Sequence, residues 1–119
     1  MADLDIQIQL RKMVKPSTPT SNHLRTLKLS LFDQSAPHIF VPILFHYLPN
    51  SERITDQIKC DKLQKSLAQT LTKFYPLAGR FSKDDTSIHC NDQGVEYVES
   101  KVNAILLLSF SIKVSRLSF

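Results

Sequence analysis

In 119 residues the chain has two glycines, two cysteines and no tryptophan, and each scarcity removes a class of function. With glycine only at positions 79 and 94, neither a phosphate-cradling loop nor a nucleophile elbow can be written. Cys60 and Cys90 cannot make a disulfide framework. His89-Cys90 with Cys60 lacks the paired close spacing of a zinc site, so no metal is expected. Both cysteines read as reduced thiols in a cytoplasmic chain. No apolar run approaches the ~20 residues a membrane span needs. The opening Met-Ala-Asp-Leu-Asp has neither the basic region nor the apolar stretch of a secretory signal. No membrane partner is expected.

What is present is ordinary for a globular domain: 42% hydrophobic and 22% charged residues, enough for one core. Fifteen Lys and Arg against eleven Asp and Glu give a net charge of +4. The excess is scattered rather than gathered into a patch, which speaks for solubility and against nucleic acid. A weak nucleic-acid binder rests only on that charge and the Tyr and Phe content, and salt-dependent retention would be its signature.

The strongest local pattern is Lys62 to Phe81, KLQKSLAQTLTKFYPLAGRF. Leu63, Leu67, Leu71 and Phe74 recur at steps of four, four and three, which places them on one helical face. Asp61 and Gln64 form a capping-box pattern that predicts the helix start. Pro76 stops it, giving a helix of about 13 residues, and Gly79 permits the turn that follows.

Before it, Leu4, Ile6, Ile8 and Leu10 alternate with polar residues and Val14 keeps the phase, which predicts a half-buried strand. Lys15 to Asn22 is a connector stiffened by two prolines. Leu27, Leu29 and Leu31 give a second alternation, and Asp33 to Pro37 reads as a turn in which Asp33 is a cap or turn residue. Ile39 to Phe45 is nearly all apolar, as in a strand covered on both faces, with Pro42 marking an edge or a bulge. Leu48 to Arg53 reads as a polar loop. Ser82 to Asp85 reads as a turn, and the runs 86–90 and 95–99 around Asn91-Asp-Gln-Gly94 read as a hairpin. The last segment, 104–119, contains Ile105-Leu-Leu-Leu108 and no acid. It reads as a divergent apolar tail through which copies of the chain could self-associate.

Four segments in this order carry a resemblance: Lys15-Pro-Ser-Thr-Pro-Thr20, Leu29-Ser-Leu-Phe-Asp33, Tyr75-Pro-Leu-Ala-Gly-Arg80 and Cys90-Asn-Asp-Gln-Gly-Val95. Together they resemble the N-terminal part of the plant BAHD acyltransferases, in the branch that acetylates alkaloid and terpenoid alcohols. The resemblance covers about Ile6 to Asn103. It divides the chain into 1–103, the N-terminal part of such a domain, and the tail 104–119. It implies an α/β fold, a fragment of a chloramphenicol acetyltransferase-like half-domain, with a mixed β-sheet and one main helix.

The resemblance further implies an enzyme that moves an acyl group from a coenzyme A thioester to an alcohol acceptor, acyl-CoA being a co-substrate and no cofactor being bound by this part. Phe40, Ile43 and Phe45 match the segment that borders the acceptor channel, with plain core as the competing reading. Catalysis in the family rests on a His-x-x-x-Asp base, supported by a distant Asp-Phe-Gly-Trp-Gly motif. Here His23 is followed four residues on by Leu27, His38 by Pro42, His46 by Asn50 and His89 by Gln93. No catalytic residue is assigned, and the chain reads as a truncated enzyme that is inactive alone. The alternative is a non-catalytic interaction module that pairs with full-length relatives through strand edges.

Overall fold

A computed structural model describes residues 5–39, 41–45, 47 and 55–102. In chain order the elements are β1 (Ile6–Val14), a 3-10 turn (Asn22–Leu24), β2 (Thr26–Lys28), α1 (Leu31–Ser35), α2 (Asp56–Lys73), a 3-10 turn (Tyr75–Ala78), β3 (Arg80–Phe81), β4 (Ser87–His89) and β5 (Val95–Val102). Strands and one main helix combine as the sequence implies. The strands form two sheets, β1-β5 and β2-β4-β3, and every pair among the described residues is antiparallel, where one mixed sheet was expected.

The helix α2 is longer than its spacing pattern suggested, at 18 residues with Thr55 as its N-cap. Nothing between Asp56 and Asp61 breaks a helix, so the helix runs back through the anticipated start. Asp61 is not a cap. It accepts a bond from Gln57 Nε2 one turn earlier (3.1 Å), and Gln64 Nε2 donates instead to Glu99 Oε1 on β5 (2.7 Å). The end falls where Pro76 dictates: Phe74 N–H closes on the Thr70 carbonyl (2.9 Å) and a 3-10 turn follows.

The buried face of α2 is also rotated from the leucine row. Cys60 and Leu71 are buried, and Leu67 and Ala68 pack against the core. Leu63 is 37% exposed and Phe74 58%. The core is Val14, Leu71, Ala78, Val95 and Tyr97, so helix, strand ends and the Tyr75–Ala78 turn meet at one point. Tyr97 is fully buried, and its hydroxyl lies near Glu99, Gln64 and Cys60 without a well-formed hydrogen bond. Burial, with Glu99 beside them, pushes the Tyr97 phenol and the Cys60 thiol above their ordinary pKa values.

In β1 the alternation breaks at Gln9. Ile8 pairs with Ser100 but Leu10 with Glu99, so β1 holds one extra residue, a bulge that shifts the phase of every residue before it. Leu10 and Val14 share a face with Glu99, Tyr97 and Val95, the face toward α2. Ile6 and Ile8 fall on the other face, opposite Val102 and Ser100, and are 58% and 55% exposed.

Two further expectations are corrected. The runs 86–90 and 95–99 do not form a hairpin: β4 pairs with β2 and β3, while β5 pairs with β1. The Ser82–Thr86 turn instead joins β3 to β4, closed by Ser82 N–H to the Ser87 carbonyl (2.8 Å). The segment after α1 is not a covered strand: residues 41–45 carry no ladder, and Val41, Ile43 and Phe45 are 71–72% exposed. The polar loop Leu48–Arg53 and the tail 104–119 lie outside the described residues.

This packing separates residues that the sequence pattern treated alike. Leu71→Ala should destabilise the chain by about 2–5 kcal/mol, as large-to-small core changes do, and Leu63→Ala by less than about 1 kcal/mol, both read from urea unfolding. Tyr97→Phe removes a buried hydroxyl with no well-formed bond and should leave stability unchanged or slightly raised in the same assay.

Candidate functional site

Three of the four motif segments, 15–20, 75–80 and 90–95, are distant in sequence and meet at the crossing Cys90–Val95. Thr20 donates from its backbone N–H to Asp92 Oδ2 (2.9 Å) and from its hydroxyl to Asp92 Oδ1 (2.6 Å). Arg25 Nη2 stands 3.8 Å from the same carboxylate, and Cys90 N–H donates to the Arg25 carbonyl (2.8 Å). Upstream, Ser17 N–H donates to the Ala68 carbonyl of α2 (3.0 Å), and the Ser17 and Thr72 hydroxyls share a bond of 2.9 Å. The prolines at 16 and 19 fix the backbone on either side of a bend at Ser17 and Thr18, and the connector's donors reach α2 and the crossing in turn.

From the other side, Gly94 N–H donates to the Ala78 carbonyl (3.1 Å). Arg80 Nη1 donates to the carbonyls of Gly79 (2.7 Å) and Gly94 (3.1 Å), and burial lowers its pKa. Gly94 has φ +88°, and a Cβ there would run into the Val14 carbonyl, so the position requires glycine twice over. Gly79 is needed for a different reason from the one its turn suggested. Its backbone is extended (φ −92°, ψ −168°), and a Cβ would come within 2.5 Å of the His89 carbonyl.

Asp33 is a cap, as its position suggested. The Ser30 N–H (3.1 Å) and hydroxyl (2.7 Å) donate to its carboxylate, while its own N–H returns a bond to Ser30 Oγ (3.2 Å), starting α1. These Ser30 bonds hold its carboxyl below the usual range. The acceptor-channel candidates follow this helix. Ile43 and Phe45 lie in an extended, water-facing apolar segment with Ile39, Val41 and Leu44, and Phe40 lies outside the described residues. Neither Ile43 nor Phe45 is buried by the described residues. The segment is anchored at its start by His38, whose ring meets Phe81 edge-on with centroids 5.1 Å apart.

A shallow depression of about 460 Å³ lies between the connector and α2, lined by Ser17, Ser66, Gln69, Thr70, Thr72 and Lys73. It offers hydroxyls and one ammonium but no acid–base pair. Among the described residues no three His, Cys, Asp or Glu side chains converge on a metal-sized point, and no helix is long and apolar enough to cross a membrane. Thr20, Arg80 and Asp92, which tie the motifs together, were not singled out by sequence reasoning. The available signal was an Asp two residues before the second of only two glycines.

The Asp92 carboxylate carries a pH consequence. Burial works to raise its pKa, but the two Thr20 bonds, with Arg25 and Lys15 nearby, outweigh burial and hold it below its ordinary value. A carboxyl more acidic in the folded chain contributes stability above its unfolded pKa and loses it as pH falls through the folded value. Asp92→Asn should lower stability at neutral pH by about 1–3 kcal/mol and flatten the acid limb of the stability profile below about pH 4, measured by urea unfolding across pH.

These features have close counterparts. The profile described as the transferase family matches residues 4–114. The chain is 43% identical over 97 residues to acetyl-CoA-benzylalcohol acetyltransferase of Clarkia breweri, covering 82% of this chain and 22% of that protein. It is 42% identical over 99 residues to limonoid 21-O-acetyltransferase of Citrus sinensis, covering 83% and 23%. In structure it matches vinorine synthase with a TM-score of 0.77 and 36% identity, over 86% of this chain and 25% of that one. The chain thus spans about a quarter of the length of the proteins it matches, and it belongs to the BAHD transferase family.

Proposed function

We propose that this chain is the N-terminal part of an acyl-CoA-dependent O-acyltransferase that acetylates an alcohol of plant secondary metabolism. The observation that carries this reading is the agreement among relatives over one span, two of them named as acetyltransferases at 42–43% identity. In this reaction a general base takes the proton of the acceptor hydroxyl, the oxygen attacks the thioester carbonyl, and coenzyme A leaves as the thiol. None of the four histidines here has an aspartate four residues on, so these residues do not supply that base. Their part is scaffolding: the crossing at Asp92 and Gly94 locks β1, the connector and the Tyr75–Arg80 turn together. Ile43 and Phe45 then offer apolar surface for the alcohol's carbon skeleton, and acyl-CoA enters as co-substrate without a site here. The 119 residues alone are inactive in this reading.

A second reading, a non-catalytic module that pairs with longer relatives, is favoured by the exposed apolar run Ile39, Val41, Ile43 and Phe45. Co-purification with a full-length relative, lost on Ile43→Lys, would support it.

The test of the main reading is a chimera in which this chain's matching residues replace those of the benzylalcohol acetyltransferase. It should form benzyl acetate from acetyl-CoA, and a folded but inactive chimera would sink the proposal. Within it, Ile43→Ala with Phe45→Ala should raise KM for the alcohol several-fold and leave KM for acetyl-CoA unchanged. The 119-residue chain itself should turn over acetyl-CoA no faster than buffer, since losing an acid–base group alone removes about 10²–10⁴ in rate.

A further inference from the structure

We propose that Asp33 is a positioning residue for the acceptor alcohol: its capping box with Ser30 sets the direction in which the chain carries Ile43 and Phe45. The inference rests on the reading of those two side chains as apolar surface for the alcohol. Before the box, Leu29 N–H is fixed to the Thr86 carbonyl just ahead of β4 (2.9 Å). After it, the His38 ring stands edge-on to Phe81 of β3. Ile43 and Phe45 follow His38 closely in the chain, so the exit from α1 decides where they lie.

Among the described residues, polar bonds rather than packing give α1 its form. None of its residues is buried, and Leu31 and Phe32 are 79% and 89% exposed. Ser30 takes the chain from extended backbone (φ −68°, ψ 163°) into helix in one step, and the box with Asp33 closes that step. Gln34 Nε2 adds a bond back to the Leu29 carbonyl (3.0 Å). Ala36, biased away from helix by Pro37, returns the chain to extended angles (φ −68°, ψ 133°). Five helical residues make about one and a half turns, so a slip at the first of them redirects everything after Ala36. The contacts also separate geometry from charge. Ser30 N–H and the Ser30 hydroxyl both donate to one Asp33 oxygen, Oδ2. An asparagine amide oxygen can accept both, so Asp33→Asn keeps the box without the charge, whereas Asp33→Ala removes it.

The test is steady-state kinetics in both substrates on the benzylalcohol acetyltransferase chimera. Asp33→Ala and Ser30→Ala should each raise KM for benzyl alcohol several-fold, with KM for acetyl-CoA and the melting temperature unchanged. Asp33→Asn and Ser30→Thr should keep the unsubstituted chimera's KM. Added to Ile43→Ala with Phe45→Ala, Asp33→Ala should change KM for the alcohol no further, because the surface it places is already gone. An unchanged KM for the alcohol in Asp33→Ala would overturn the proposal, as would a further loss on top of the Ile43 and Phe45 changes. So would Asp33→Asn as defective as Asp33→Ala, which makes charge the cause. A lower melting temperature with both KM values raised would also overturn it, as a purely structural role predicts. A folded chimera that is inactive before any of these changes would instead overturn the reading beneath the proposal, and the proposal with it.

Discussion

The close approach of Gly94 to the Val14 carbonyl is the constraint on which the rest depends. It sets where β5 may start beside the end of β1, and the Val14–Val95 pair it produces is the buried end of the ribbon. Because Gly94 N–H is taken by Ala78 and its carbonyl by Arg80, the turn after α2 is held at the same place. Asp92 adds the connector through Thr20. Four segments that are short and separately unremarkable in propensity become one body because they share this crossing.

Around that point the chain has a small buried core and much exposed apolar surface. Val14, Leu71, Ala78, Val95 and Tyr97 are enclosed, while Leu31, Phe32, Ile39, Val41 and Tyr47 are 72–89% exposed. The polar ties therefore matter more than they would under a larger core. The charged Asp92 with two donors and the Gln64–Glu99 bond both connect elements rather than decorate one. The lone exposed ion pair of α2, Lys59 with Asp56 at 3.8 Å, is of the kind that contributes little.

What could be read from sequence was what local chemistry decides. Period two marked β1, the Pro76 stop ended α2, and Ser82 to Asp85 turned where its residues favour a turn. The helix start was misplaced because Asp-x-x-Gln occurs as readily within a polar helix face as at its beginning. The capping box that does form, Ser30 with Asp33, was visible as a motif but submerged in an alternation of leucines. The buried row of α2 follows the position of β5 rather than leucine spacing, so Gln64 and Cys60 face inward while Leu63 does not. The bulge at Gln9 is decided by β5, about 90 positions on, and β4 takes β2 as one neighbour across about 60 positions rather than β5 across the short turn. No short window contains them. The acceptor-segment residues were legible only as apolar. Their exposure depends on what else packs there, which their own sequence does not encode.

The pairing of β1 with β5 also sets the order in which this chain can acquire structure. Val14 and Val95 are neighbours in the ladder, and closing a loop of that length precedes any reward from the contacts it permits. Translation proceeds at about 5–20 residues per second, so β1 waits roughly 4–17 s for its partner to be made. Throughout that interval Ile6, Ile8, Leu10 and Val14 form an unpaired, β-prone segment. Helix α2 is complete sooner and draws on contacts a few residues apart. Helix first and ribbon last is therefore the sequence of events the topology imposes, and β1 is the part of the nascent chain with most to gain from a chaperone.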